Sequence, residues 1–250
     1  MATHLAPALE NMGYSVRLVY SRNPENAKTL CKKLYQAEVA RTLDFSNSSP
    51  EIFILSVSDD ALEEVASEII LPENAMVMHT SGTQPLSLLG YTPTEHIGVF
   101  YPLQTFTKEK KVDFSGIPIC LEGETPEIRS TMKAMAATLS DSVQMVNTHD
   151  RKVLHLAAVF ACNFANHLFT ISEEILENRG LDFAILHPLI VETLNKSLTL
   201  GPSNSQTGPA IRNDTSVIHS QLQYLMDRED LANLYREFTE QIQNKYSSPN

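Results

Sequence analysis

The sequence predicts an α/β protein, with a doubly wound sheet domain over residues 1–147 and an all-α domain over residues 148–250. Strand and helix patterns alternate as far as residue 147, and helix patterns alone follow. The segments EIFILSV (51–57) and NAMVMHTSG (74–82) are short and nearly continuously apolar, as in strands that are covered on both faces. This order is typical of a largely parallel sheet with helices on both sides.

The first domain opens with a helix pattern. Residues 2–12 are helix-like, and Gly13 suits the position that ends a helix. YSVRLVY (14–20) predicts a strand, a second helix begins near Pro24, and ARTL (40–43) predicts a short strand. The later elements are strands at 51–57, 74–82, 96–106, 116–123 and 142–147, and helices that start at residues 58 and 126.

The second domain begins with one long helix. Residues 148–179 contain neither proline nor glycine, and Gly180 ends the pattern. Further helices are predicted at 182–200, from about residue 214, and at 228–245. The last of these places its apolar residues on one face, at steps of three, four and seven.

Composition excludes several classes of function. The net charge of -11 argues against binding to nucleic acid or to an anionic membrane. Cys31, Cys120 and Cys162 are scattered, which indicates reduced thiols and a cytoplasmic location. No signal peptide and no apolar run of roughly 18 residues is found, so no membrane span is predicted. Histidines and cysteines lack the spacing of a metal site.

The beginning of the sequence departs from the usual order of a nucleotide-binding sheet. Such a domain starts with a strand and a GxGxxG turn that contacts a pyrophosphate. Here the first glycine is Gly13, and no two of the nine glycines lie two positions apart. We expect that this strand and turn are missing before Met1, through a misplaced start or a natural truncation. The chain alone should then be poorly stable and bind the cofactor weakly or not at all.

Several motifs resemble a known family. ATHLAPALENMGYSVRLVYSRN resembles the first helix and second strand of the Rossmann domain in pyrroline-5-carboxylate reductase and 6-phosphogluconate dehydrogenase. HTSG (79–82), YPLQTF (101–106), HLAAVFACNF (155–164) and GPAIRND (208–214) are similar to a bacterial family of Rossmann-like proteins with a helical C-terminal domain of unknown function. The glycine turn is absent, and Asn213 replaces the glycine usual in that family.

The predicted cofactor-binding residues lie where strands end at one edge of the sheet. The strand YSVRLVY (14–20) corresponds to the second strand of the usual nucleotide-binding order, and it ends without an acid. Arg22 at this point favours the 2′-phosphate of NADP. Alternatives remain open. Arg22 belongs to a solvated turn, Ser58 after the strand at 51–57 caps a helix, or His79 is structural. The candidates are Ser21, Arg22, Val57, Ser58, His79, Ser81 and Gly82.

The long helix supplies the candidate catalytic residues. At 100° per residue, four polar side chains between Lys152 and Asn166 share an arc of about 80°. The resemblance implies that His155 and Asn163 face the substrate, and a histidine suits proton transfer near neutral pH. The alternative is that this arc faces water. Arg212 either binds a substrate carboxylate or pairs with Asp214.

The sequence therefore predicts an NADP-dependent oxidoreductase that acts on a small metabolite. The resemblance further implies a homodimer that forms through the helical domain. Imine reduction and the oxidoreduction of a small hydroxy acid are both open as reactions. The alternative is a non-catalytic or nucleotide-sensing Rossmann-like protein.

Overall fold

The computed structural model describes residues 1–108 and 110–246. The chain divides into two compact units, Met1–Leu168 and Phe169–Asn250. The predicted boundary at residues 147/148 therefore differs from the division of the structure. The first turn of the long helix belongs to the sheet unit, because Arg151 in that turn is completely buried there.

The first unit has the predicted alternation of helices and strands. Its helices are α1 (Ala2–Asn11), α2 (Pro24–Cys31), α3 (Asp59–Glu68), α4 (Pro126–Leu139) and α5 (Thr148–Ala158). Its strands are β1 (Leu18–Val19), β2 (Glu38–Val39), β3 (Ile52–Leu55), β4 (Met76–His79), β5 (Ile97–Pro102), β6 (Ile119–Gly123) and β7 (Val143–Met145). The α/β fold class is confirmed, although most strands are shorter than predicted and ARTL lies just after β2.

The strands form two sheets. Strands β1 and β2 pair in parallel, and a second sheet has the order β3-β4-β5-β6-β7. The β5–β6 pair is antiparallel, whereas the other pairs are parallel. No helix of the described residues crosses between β5 and β6, and a parallel pair needs such a crossover. The expectation of a strand before Met1 concerns residues outside this sequence and stays a prediction.

Helices cover both faces of the larger sheet. Val77 and Val99 point to one face, where Leu62 of α3 joins the core. Met78 and Phe100, one residue further along, point to the opposite face, where Leu5, Leu9 and Met132 lie in the helices α1 and α4. The period-two alternation of a strand therefore fills two separate cores. Strands β3, β4 and β5 end at the same edge, and the turns that follow them lie side by side.

The long helix contains an unpredicted change of geometry. After α5 the chain forms a π-helix at Val159–Phe164 and then α6 at Ala165–Glu177. A π-turn closes i→i+5 hydrogen bonds and is wider than an α-turn, so each residue advances by less than 100°. The predicted arc therefore fails beyond residue 158, and Asn163 turns closer to the direction of His155. Such π segments are frequent at functional sites.

This helix also corrects the expectation about apolar runs. Thr148–Glu177 contains an 18-residue window with mean hydropathy 1.3, which by length and composition alone would be enough to cross a membrane. None of that window is buried. The sequence criterion missed it because alanine, histidine and asparagine interrupt the large apolar residues. One such helix is weak evidence for a membrane span.

The second unit contains helices only among its described residues. These are the end of α6, α7 (His187–Leu200), α8 (Pro202–Ser205), α9 (Thr215–Tyr224) and α10 (Glu229–Tyr246), with a 3-10 turn at Phe183–Leu186. The 3-10 turn and α8 were not predicted.

Asn213 has a backbone reason for replacing the family's glycine. Its φ is 53°, in the left-handed region that glycine and asparagine tolerate best. Its side-chain oxygen accepts a hydrogen bond from Gln243 Nε2 at 3.0 Å. Next to it, Asp214 caps α9 by accepting from the backbone N–H of Val217. The departure from the family pattern therefore keeps the conformation of the loop.

Candidate functional site

The turn after β4 packs directly against the long helix at Gly82. A Cβ atom at this position would lie 2.6 Å from His155 Nδ1 and 2.9 Å from Tyr101 Cζ. These distances are shorter than real Cβ contacts, so a side chain here would displace the histidine. Gly82 was predicted to bind the cofactor, but the structure buries it beneath His155. Its role is to let two side chains approach the backbone.

His155 and Tyr101 form a hydrogen-bonded pair over this glycine. The distance between the Tyr101 hydroxyl and His155 Nδ1 is 3.1 Å. Burial, and to a lesser degree the neighbouring Cys120, raise the pKa of the Tyr101 hydroxyl, so it stays protonated at neutral pH. His155 is half-buried, and Nε2 makes no hydrogen bond with the residues that the structure describes. One ring nitrogen is therefore fixed, and the other remains available.

His79 is part of the framework. Its exposed fraction is 0%, and its Nδ1 accepts a hydrogen bond from the Ser81 backbone N–H at 3.1 Å. Burial, followed by the nearby charge of Arg151, lowers the pKa of His79 to about 4. The ring is neutral and carries its proton on Nε2, which lacks a partner of normal geometry among the described residues. The side chain of His79 is therefore enclosed by the protein, and its contact with the cofactor stays a prediction.

Ser81 is likewise used inside the turn. Its hydroxyl oxygen accepts the backbone N–H groups of Thr83 at 3.1 Å and Gln84 at 3.0 Å. The Thr83 hydroxyl donates in turn to the carboxylate of Asp59, at the start of α3. The Ser81 hydroxyl is thus engaged within the turn, and its assignment to the cofactor stays a prediction. Its hydrogen bonds hold the turn against the neighbouring helix.

The residues that stay open at this edge lie after β1 and after β3. Val57 is 44% exposed, and Ser58 is exposed at the N-cap of α3 without making a capping bond to the described chain. Ser21 is half-buried. Arg22 is exposed and forms an ion pair with Glu64 of α3 at 3.3 Å. These four predicted residues are accessible to a ligand.

The other two candidate catalytic residues are not part of this hydrogen-bonded pair. Asn163 is exposed in the π segment of the first unit. Arg212 is exposed in the second unit, and within the described chain it forms no ion pair with Asp214. The site that the structure assembles within one unit therefore consists of His155, Tyr101 and Gly82.

Sequence reasoning missed Arg151, the largest fully buried side chain among the described residues. Its Nη1 donates to the backbone oxygens of Ser81 and Gln84, and its Nη2 donates to the carboxylate of Glu122. Arg151 lies four residues before His155, so both share one helix face. The four-residue spacing between Arg151 and His155 was the signal in the sequence for this burial. The ion-pair partner of Arg151, Glu122, is far away in the sequence.

A cavity in the first unit is unrelated to these residues. It measures about 590 Å³ and is lined by the end of α1, residues 111–115 and the end of α4. No predicted site residue lines it. Within the described chain, no group of three histidine, cysteine, aspartate or glutamate side chains is placed to hold a metal ion.

Comparison with solved structures shows the same fold in other proteins. A Bacteroides fragilis protein described as a candidate NADP oxidoreductase is 39% identical, with a TM-score of 0.88 over 97% of this chain and 93% of that one. A Thermotoga maritima protein is 22% identical, with a TM-score of 0.80 over 98% and 96%. An imine reductase from Myxococcus stipitatus, in complex with NADP⁺, is 14% identical, with a TM-score of 0.60 over 97% and 88%. The last two show the fold alone.

The fold is thus that of Rossmann-like proteins with a helical C-terminal part, as the motifs predicted. The domain of unknown function DUF2520 matches residues 117–242, which is just over half of the 250 residues. The chain belongs to this family. Curated proteins give no match.

The buried neutral His79 predicts acid sensitivity. Its pKa in the folded protein lies below the unfolded value of 6.5, so the unfolded chain binds the proton first. The stability contributed by His79 is complete above about pH 6.5 and is lost as the pH falls toward 4, by at most about 3 kcal/mol. Urea unfolding at about pH 7 and pH 5 measures this loss.

His79→Asn keeps an acceptor for Ser81 but does not titrate, so it should lose less stability in that interval. The exposed His219 provides the control, because His219→Asn should behave like the unchanged protein. An equal acid response in His79→Asn and the parent would contradict this role.

Proposed function

We propose that this chain is an NADP-dependent oxidoreductase that reduces a carbon–nitrogen or carbon–oxygen double bond of a small metabolite. The observation that carries the proposal is the Tyr101–His155 hydrogen bond over Gly82, beside the edge where parallel strands end. The 39% identity to a candidate NADP oxidoreductase supports the same class.

The accessible residues of the edge fit a dinucleotide. Arg22 is exposed, and no acid stands at the end of β1 to repel a 2′-phosphate. The ion pair of Arg22 with Glu64 joins two exposed side chains. Such pairs contribute about 0–1 kcal/mol to stability, so a phosphate can replace the carboxylate of Glu64. Val57 and Ser58 offer an open backbone and a hydroxyl at the next strand. When bound, the cofactor supplies the hydride.

His155 would exchange the proton that reduction of the double bond requires. The Tyr101 hydroxyl engages Nδ1, so Nε2 is the nitrogen that delivers a proton to the nitrogen or oxygen of the substrate. Tyr101 is held by burial in β5, and Gly82 supports the imidazole from below. The pair therefore orients the ring before substrate arrives. Asn163 is exposed in the same unit and would contact a polar group of the substrate.

The cofactor assignment is tested through Arg22. Arg22→Gln should weaken NADPH binding about tenfold, as expected for one charge-assisted hydrogen bond of about 1.5 kcal/mol, and leave NADH binding unchanged. Glu64→Gln should strengthen NADPH binding, because the arginine is freed. Isothermal titration with both cofactors measures the change. Equal effects of Arg22→Gln on NADPH and NADH would contradict recognition of the 2′-phosphate.

The catalytic assignment is tested with cyclic imines and 2-oxo acids as substrates. His155→Asn should lower kcat at least a hundredfold, as is usual when a general acid is lost, with little change in NADPH affinity. Tyr101→Phe should have a smaller effect, because the imidazole remains. If the unchanged protein binds NADPH but oxidises it with no substrate of either class, the nucleotide-sensing alternative is favoured.

We propose further that a second copy of the chain covers the exposed helix, in a cytoplasmic homodimer. Val153 and Leu156 of α5 are exposed three residues apart on one stripe, and Phe160 and Phe164 are exposed in the π segment that follows, with ring centroids 5.0 Å apart. In the second unit, Leu189, Leu194 and Leu198 of α7 are exposed as well. Apolar patches of this extent mark interaction surfaces. The net charge of -11 disfavours an anionic membrane as the alternative cover.

Light scattering after gel filtration should give twice the mass of one chain. Phe160→Glu should yield monomers, since a buried carboxylate is unfavourable in the interface. Tyr35→Glu changes an even more exposed aromatic residue far along the sequence and should stay dimeric. A monomeric parent protein, or its sedimentation with neutral lipid vesicles, would exclude this assembly.

A further inference from the structure

Arg151 connects three parts of the first unit. Its Nη1 donates to the backbone oxygens of Ser81 at 3.0 Å and Gln84 at 2.9 Å. Its Nη2 donates to Glu122 Oε2 at 3.0 Å and to Thr148 Oγ1 at 3.2 Å. The side chain thus joins the turn after β4, the end of β6 and the first turn of α5.

Glu122 fixes the arginine from the other side. Its Oε1 accepts the backbone N–H and the hydroxyl of Thr148, both at 2.9 Å. A carboxylate at this place also complements the positive end of the dipole of α5. The start of the helix and the position of the guanidinium are therefore set by one side chain.

The two carbonyl groups that Arg151 binds flank Gly82. Ser81 lies immediately before the glycine, and Gln84 lies two residues after it. Arg151 consequently holds both sides of the turn, while His155, one helical turn further along, rests on its middle. A shift of the turn by a few tenths of an ångström would move the support of the imidazole, because the fit at Gly82 leaves no free space.

Stability alone does not account for this arrangement. Buried ion pairs are often replaced by apolar residues without loss of stability, whereas their geometry fixes neighbouring groups in one position. A planar guanidinium with several donors can hold two carbonyl groups and a carboxylate at once, which a lysine cannot do.

We propose that Arg151 is a positioning residue for His155, acting through the Ser81–Gln84 turn. This inference rests on the proposed function insofar as His155 is the proton donor. The claim about geometry, however, is independent of turnover. Without the guanidinium, the turn should relax, and the Tyr101–His155 hydrogen bond should be lost or lengthened.

The test uses the ¹⁵N NMR signals of the His155 imidazole in the full chain, assigned by their absence in His155→Asn. Tyr101→Phe gives the signature of the broken hydrogen bond. Arg151→Met should shift the His155 signals toward that signature and, where substrate is reduced, lower kcat by between tenfold and a hundredfold with KM for NADPH unchanged. Circular dichroism verifies that the variants are folded.

Arg129→Met is the matched control. Arg129 also donates to two backbone oxygens, those of Gly123 and Glu124, but it is exposed and makes no contact with the turn. It should leave the His155 signals and kcat unchanged. Arg151→Lys keeps the charge without the planar fork and serves if the methionine variant does not fold. It should show the same shift.

The two possible failures are distinguishable. If the Arg151 variants keep the parent's His155 signals and kcat and lose thermal stability alone, Arg151 is structural and the inference is overturned. If the signals shift as expected while no variant or parent reduces any substrate, the positioning role stands and the proposed reductase fails.

Discussion

The buried ion pair between Arg151 and Glu122 is the constraint on which the first unit depends. A guanidinium with no exposed surface requires acceptors for its donors, because an unpaired buried charge destabilises a protein by several kcal/mol. Both Nη atoms of Arg151 have acceptors, whereas Nε has none among the described residues. The nearby acceptors are a strand end, a helix start and a turn. Once these bonds form, the end of β6, the start of α5 and the turn on which His155 rests are joined by one side chain.

This constraint explains why polar residues at one edge have different roles. The turn after β4 is held by hydrogen bonds of the side chains of His79, Ser81 and Thr83. The polar atoms of these side chains are therefore directed into the protein. Val57, Ser58 and Arg22 lie outside that network and remain open. Both sets looked alike in the sequence, because position after a strand does not tell whether a side chain is already bonded.

Much of the fold was readable from local patterns. The alternation of elements, the helix Pro126–Leu139 and the capping role of Asp214 depend on neighbouring residues, and the structure has each of them. The antiparallel β6, the π segment and the clamp by Arg151 depend on partners that are distant in sequence or on small changes in helical pitch. The periodicity of apolar residues contains no information about distant partners or about small changes in helical pitch.

The candidate site was predicted in part. His155 was chosen by its helix face and by family resemblance, and the structure places it at the expected sheet edge. Tyr101 lies in a predicted strand, and the sequence does not show the direction of its hydroxyl. Asn163 was placed with an ideal α-helical angle that the π segment does not follow.

The surface beneath the imidazole consists of main chain, since Gly82 contributes no side-chain atoms there. Substitution at residue 82 therefore offers no route to a different ligand preference, because any larger residue first displaces the imidazole of His155. A change in ligand preference must therefore come from the residues that surround this main-chain surface. A directed-evolution library should accordingly leave residues 80–84 untouched and diversify the exposed positions of the π segment.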